Sequence, residues 1–396
     1  MSPPIDKALL PAGMTDALPP HAAFEAETVE RLMVTFASYG YERVKPPLIE
    51  FEDSLLASGD AALGAQAFRL LDPESRRMLA LRPDMTLQVA RIATSRLAAR
   101  PRPLRLSYAG QVVQVKGSQL RPERQFGQVG AEIIGAAAPA ADAEVILMAA
   151  QALAELGLAD LTVDLGLPTL VPALLYGRDF DSEIAARLRA VLDRKDMVEV
   201  GAMAAWIGAE TAALLARLVA ATGPADEALA VLMAAAVPAA AEVEREALAA
   251  VVASVRAGAP ELRLSIDPVE NRGFEYHTGV TFTLFAPDVR GELGRGGRYF
   301  AGNGDGRGEP ATGVTLFMDS VLRAIPASKR SSRLFLPHGT GVDEGRRFRR
   351  AGWITVAGLE VAAEPEAEAL RLGCSHVLIK GDIRAVQPPR RQADRG

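Results

Sequence analysis

The chain has 396 residues, 49% hydrophobic and 23% charged, enough for two or three folded units with a substantial buried core. Its formal charge of -5 argues against attachment to nucleic acid through a broad cationic field, and its single cysteine, Cys374, excludes an intramolecular disulfide. The histidines (His21, His277, His338, His376) form no zinc spacing, the start MSPPIDKALLPAG has no basic segment before an apolar run, and charges interrupt the Ala-rich stretches; a cytoplasmic chain without metal or cofactor is expected.

After the turn-rich LPAGMTDALPP, apolar residues Phe24, Val29, Leu32, Met33 and Phe36 recur at helical spacing and predict an amphipathic helix from His21 to Ser38, ended by Gly40. Pro46 and Pro47 hold YERVKPPLIEFE extended. AFRLLD and RRMLALRPD, separated by PES, read as a hairpin, and helical sequence follows from Thr86 to Leu97. LRLSYAGQVVQV and RQFGQVGAEIIG read as two long antiparallel strands joined by KGSQLRPE. A helix from about Ala140 to Leu156 and the strand LTVDLG lead into an Ala- and Leu-rich stretch at 168–258, predicted as a helical insertion without a repeat period. Strands return in LRLSIDP, GVTFTLFAP and the glycine-rich segment that follows, before a short helix from Asp319 to Ala324. The run from Gly291 to Gly308 lacks GxxxxGK[ST] and is predicted to be a flexible hairpin tip rather than a phosphate cradle. Beyond Pro326, alternating strand and helix patterns predict a small α/β module with RRFRR on a solvated helix face and a frayed tail, PPRRQADRG. The expected organisation is an α+β core over 1–325 and a module over 326–396.

Taken in order, PAGMTDALPP, GYERVKPPLIE, LRPDMTLQVAR, RQFGQVGAEIIG, RGFEYHTGVTF, GGRY and ATGVTLFMDSV resemble the motif set of class II histidyl-tRNA synthetases from about Pro11 to Val321. Their order and spacing, more than any one string, make the likeness specific. The resemblance implies an antiparallel sheet of roughly six strands flanked by helices, with dimerisation through the first long helix and the strand ending at Pro47.

Amino-acid activation brings a carboxylate against the ATP α-phosphate, and fixed guanidinium groups are the usual stabilisers of the charge that accumulates. At the position of the family's motif 2 arginine this chain has Gln114, and Lys116 replaces the acidic residue two places on. At the motif 3 arginine it has Ser320. Each loss removes about 3 kcal/mol of transition-state stabilisation on the scale of a single oxyanion donor, so adenylation should be nearly abolished unless Arg121 or Arg124 substitutes.

The amino-acid pocket is better kept. Asp84 and Thr86 match positions that receive the α-ammonium group, although the family has Glu at the first, and Asp84 also stands where a helix N-cap belongs. Gln128 and Glu132, four apart on one strand, share a face. Arg272 matches a carboxylate- and phosphate-contacting arginine, Tyr276 and His277 occupy a pair that is Tyr-Tyr in the family, and Tyr299 closes the site. His277 departs at an imidazole-contacting position, which puts histidine selectivity in question.

A synthetase frame with a pocket, without its adenylation arginines and with a short C-terminal module resembles the regulatory-subunit family of ATP phosphoribosyltransferase, the first enzyme of histidine biosynthesis. That resemblance implies a non-catalytic subunit in a hetero-oligomer with a short-form catalytic subunit, with histidine as a candidate feedback ligand and neither tRNA nor membrane as a partner. The alternative is a divergent histidyl-tRNA synthetase or related amino-acid-activating ligase, which needs the missing arginines.

Overall fold

Helix His21–Ser38 forms where its apolar spacing places it, burying Leu32, Met33 and Phe36 on one side. Gly40, at φ +85°, terminates it, with the Tyr41 N–H donating back to the Phe36 carbonyl at 3.2 Å. The computed structural model describes residues 9–56, 61–118, 121–176, 182–270, 276–302, 308–326 and 332–387, and the chain divides into two units, Met1–Pro326 and Ala327–Gly396.

The strands of the first unit are β1 (Glu42–Arg43), β2 (Ile49–Phe51), β3 (Arg69–Leu71), β4 (Met78–Leu81), β5 (Leu104–Val113), β6 (Gln125–Ile134), β7 (Thr162–Gly166), β8 (Gly223–Pro224), β9 (Arg263–Asp267), β10 (His277–Phe285), β11 (Gly294–Gly302) and β12 (Gly308–Phe317). Nine of them make one sheet in the order β1-β5-β6-β12-β11-β10-β7-β9-β8, and β2-β4-β3 make a small second sheet. The main sheet is therefore larger than the roughly six strands expected, and it is mixed, since β1 runs parallel to β5 and β7 parallel to β9. The second parallel pair has a topological cause: parallel neighbours need a long crossover, and the helical stretch between Gly166 and Arg263 supplies it. The two-residue strands β1 and β8 are set by tertiary pairing and carry no alternation of their own.

The glycine run departs from expectation. Instead of a hairpin tip, β11 and β12 pair continuously from Gly294 opposite Leu316 to Gly302 opposite Gly308, in the interior of the sheet, while residues 303–307 lie outside the described residues. Crowding explains the glycines: a Cβ at Gly296 would stand 2.1 Å from the Gly313 carbonyl oxygen and 2.4 Å from the Phe282 ring.

Alternation along the strands divides the sheet into two faces. Val129, Ala131 and Ile133 of β6, Val314 and Leu316 of β12 and Phe282 and Leu284 of β10 pack into one core with helices His21–Ser38, Pro139–Glu155 and Ala239–Gly258. The opposite face carries Tyr108, Phe126, Tyr299 and Phe317, covered in part by Met85 and the short helix Thr86–Thr94 through Val89, Ala90 and Ala93. This second face holds the candidate site. No described helix is long and apolar enough to cross a membrane.

The second unit orders β13 (Arg333–Leu336), β14 (Ile354–Ala357), β15 (His376–Ile379) and β16 (Asp382–Ala385) as β14-β13-β15-β16, the first three parallel and β16 antiparallel. One side packs Phe348 of helix Val342–Arg350 against Leu334, Leu336 and Leu378; the other packs Phe335, Ala369, Cys374 and Val377. Arg346 and Arg347 of the RRFRR run pair with Asp343 and Glu344 on their own helix. The predicted tail, 388–396, lies outside the described residues.

Candidate ligand-binding site

Register assembles the site. Glu132 of β6 stands opposite Gly313 of β12, which stands opposite Gly297 of β11; two residues along, Gly130 pairs with Thr315 and Thr315 with Arg295. Across the first edge of this floor, Gly130 lies opposite Tyr108 of β5. The glycines make room for their neighbours: a Cβ on Gly130 would lie 2.4 Å from the Tyr108 hydroxyl, and one on Gly313 only 1.7 Å from Glu132 Oε2. Above the floor, segment Arg82–Met85 is pinned by the buried Arg82 guanidinium, whose Nε donates to the Gln111 carbonyl at 2.8 Å and Nη1 to that of Pro46 at 3.1 Å.

Glu132 is 1% exposed and is held by two phenols, Tyr108 donating to Oε1 and Tyr299 to Oε2, each at 3.1 Å. With its proton so used, Tyr108 is left to accept from the hydroxyls of Thr315 at 2.9 Å and Thr86 at 3.2 Å. Beside this network Gln128 bridges two groups, taking the Met85 N–H on Oε1 at 3.1 Å and donating from Nε2 to Asp84 Oδ2 at 2.9 Å. The other Asp84 oxygen takes the Thr86 N–H at 2.7 Å, so the structural role at the helix start and the place in the pocket coexist in one carboxylate.

Among the described residues, no guanidinium or ammonium group contacts Glu132 or Asp84. Burial pushes the Glu132 acid up to about 8; the Tyr108 and Tyr299 hydrogen bonds pull the other way, and the nearby Asp84 adds to the rise. Both tyrosines are in turn held well above the ordinary phenol range, chiefly by burial and next by the Glu132 charge.

Tyr276 stacks on Tyr299, with ring centroids 5.2 Å apart and planes 14° from parallel, and His277 meets the Tyr276 ring edge-on at 5.0 Å. The His277 Nδ1 lies 3.2 Å from the Arg298 carbonyl oxygen, which only accepts, so Nδ1 carries the proton and Nε2 is an acceptor. Burial depresses this imidazole to about 4, against the stabilising Arg298 carbonyl bond and with a further depression from Arg295, leaving it neutral at physiological pH. The structure thus brings together Asp84, Thr86, Gln128, Glu132, Tyr276, His277 and Tyr299, while Arg272 lies outside the described residues. Sequence reading missed Tyr108 and Thr315. The signal for Tyr108 was a large polar aromatic on one strand facing a glycine on the next, visible only once the register is known.

Gln114 and Ser320 occupy quiet local positions. Gln114 Nε2 donates to the Pro83 carbonyl at 3.2 Å, and Ser320, 2% exposed, accepts from Arg323 Nη2 at 3.2 Å. Arg121 and Arg124, the two candidate substitutes, are engaged elsewhere. Arg121 donates from Nε to Asp319 Oδ2 at 3.2 Å, lies 3.8 Å from Glu292 and stacks 3.7 Å over the Phe317 ring. Arg124 donates to the carbonyls of Gln114 and Ala12, both at 3.2 Å.

A family model for histidyl-tRNA synthetase matches residues 13–321. The ATP phosphoribosyltransferase regulatory subunits of Paramagnetospirillum magneticum and Rhodospirillum centenum are 56% and 55% identical to this chain, over 94% and 96% of it and 96% and 97% of their own lengths. The chain belongs to the ATP phosphoribosyltransferase regulatory subunit family. A solved structure from Bacillus halodurans, described as an ATP phosphoribosyltransferase regulatory subunit/histidyl-tRNA synthetase, matches with a TM-score of 0.79 at 25% identity, covering 93% of this chain and 97% of that one. The α+β, class II synthetase-like fold expected from the motif order is the fold found, with its helical insertion and small C-terminal module.

Proposed function

We propose that this chain is the histidine-sensing regulatory subunit of a short-form ATP phosphoribosyltransferase, in the cytoplasm, and that it catalyses no reaction of its own. It would enter the complex as a dimer, activate the catalytic subunit in the first step of histidine biosynthesis and convey inhibition by histidine. The observation that carries the sensing role is the Glu132 network: a buried carboxyl group, Glu132, beside the half-buried Asp84, both held among the described residues only by neutral donors. A ligand bearing an ammonium and an imidazole supplies the cationic partners this arrangement lacks. The absence of catalysis rests on Gln114 and Ser320 at the positions of the two adenylation arginines, and on the engagement of Arg121 and Arg124 elsewhere. Regulation then requires only that histidine bind one assembly state more tightly than another, with the partner's equilibrium shifted by that differential affinity.

The test is phosphoribosyltransferase activity of the short catalytic subunit with and without this chain, across a histidine titration. Activity that depends on the chain and falls with histidine is the expected result. ATP–pyrophosphate exchange stimulated by histidine would instead make the chain a ligase.

A further inference from the structure

The two edges of the second unit's sheet are built differently. β16 carries Asp382 and Arg384, with Lys380 just before it, and such charges keep an open edge from pairing. β14, at the other edge, reads Ile-Thr-Val-Ala and has no charge. Around it stand Leu359, 88% exposed, Val361, 83%, and Ile354, 47%. Among the described residues no strand pairs with its outer side. Which groups that side presents follows from the bonds on the inner one. The N–H groups of Ile354 and Gly358 donate inward to the carbonyls of Ser332 and Leu336, at 3.4 and 2.7 Å. Bonding direction alternates along a strand, so Val356 also faces β13, and the N–H and C=O groups of Thr355 and Ala357 point outward. Two donors and two acceptors are thus offered in a row to a further strand.

A second copy of β14 fits this row. When two copies pair antiparallel about a two-fold axis at Val356, Thr355 of each faces Ala357 of the other, and every outward group of both strands is bonded. No like charges meet along the strands, and Leu359 of one copy comes opposite Trp353 of the other. The ends are complementary in charge. Helix Val342–Arg350, which leads into β14, finishes in Arg349 and Arg350, and among the described residues neither is paired with a carboxylate; Arg349 reaches along the strand and donates to the Thr355 hydroxyl at 2.9 Å. Glu360 lies just past the other end of β14, and the antiparallel register carries it to the Arg349–Arg350 turn of the second copy, twice by symmetry.

We propose that the C-terminal modules of two copies of this chain join edge to edge through β14, making one continuous sheet of both. The test is sedimentation of the full chain across a range of concentrations, for the parent and for Thr355→Pro, which removes one outward N–H per copy and leaves the inward bonds of Ile354, Val356 and Gly358 in place. The parent should show a concentration-dependent association that the variant reaches only at roughly 10-fold to 30-fold higher concentration, the effect of two hydrogen bonds lost per contact. The register has a readout of its own. In a Cys374→Ser background, Val356→Cys should form a disulfide between copies under mild oxidation, because a residue on the two-fold axis faces itself with about 4.5 Å between Cα atoms. Ile354→Cys occupies a more exposed position yet should stay unlinked, since its counterpart lies about 14 Å away along the strands. Equal masses for parent and Thr355→Pro at every concentration overturn the contact, as does crosslinking at both positions or at neither. Should Thr355→Pro fold poorly, a disulfide at position 356 alone sustains the proposal.

Discussion

Glu132 and Gln114 flank the same stretch of chain, Arg82–Thr86, yet their surroundings differ in kind. Around Glu132 the protein keeps a buried acid ringed by Tyr108, Tyr299, Thr86 and Thr315, an arrangement that costs stability whenever the acid ionises. Around Gln114 and Ser320 neutral side chains satisfy themselves with one carbonyl and one neighbouring arginine. A neutral side chain at positions 114 and 320 therefore burdens the fold little, whereas a buried acid with no cation beside it among the described residues burdens it whenever it ionises. On the proposed sensing reading, the costly acid is the group that a bound cation would relieve.

The sharpest way to break this contrast is Glu132→Gln. On the sensing reading it lowers histidine affinity by about 100-fold, the upper end for a hydrogen bond to a charged group, as measured by calorimetric titration. The same variant tests the stability cost. The folded acid titrates near 8 against a reference of 4.5, so between these values the native state holds a proton that the unfolded chain has released. Stability from this group is therefore fully present below 4.5, falls by about 1.4 kcal/mol per pH unit through that window and levels off above it. Glu132→Gln should match the parent at pH 4 and melt higher at pH 8; parallel melting curves at every pH would remove the cost from the comparison.

Gly313→Ala probes the floor beneath the acid. With the new Cβ 1.7 Å from Glu132 Oε2, the strand or the acid must move, and a loss of about 1–3 kcal/mol is expected in denaturant unfolding, with histidine binding lost in step. The smallest effects belong to the other side. Gln114→Ala and Ser320→Ala each give up a single hydrogen bond and should cost about 0.5–1 kcal/mol while leaving histidine affinity within twofold. A tenfold loss of affinity in either would merge the two regions into one site.

Much of the fold was legible in the chain because each long element carries its own period. Helix His21–Ser38 occupies the residues that its apolar spacing predicts, and the paired strands β5 and β6 occupy the two alternating runs. Strands are expected in the glycine-rich segment, but β11 falls inside the run 291–308 expected as a hairpin tip, since glycine ordinarily weakens a strand; here Phe282 and neighbouring carbonyls leave room for nothing larger. Candidate site residues that sit within motifs were visible, including Gln128 and Glu132 four apart on β6. Tyr108 and Thr315 belong to no motif and join the face only through pairing across strands, which no local pattern encodes.

Cys374 is the chain's sole cysteine, and it is buried in the second unit with Phe335, Ala369 and Val377. Burial also raises its thiol above the ordinary range, so the closed form holds little of the reactive thiolate. Modification by an aromatic disulfide reagent must then wait for that unit to open, and the labelling rate becomes a stopwatch for its breathing alone. Without any engineered probe, the motions of the C-terminal module can be timed separately from those of the first unit.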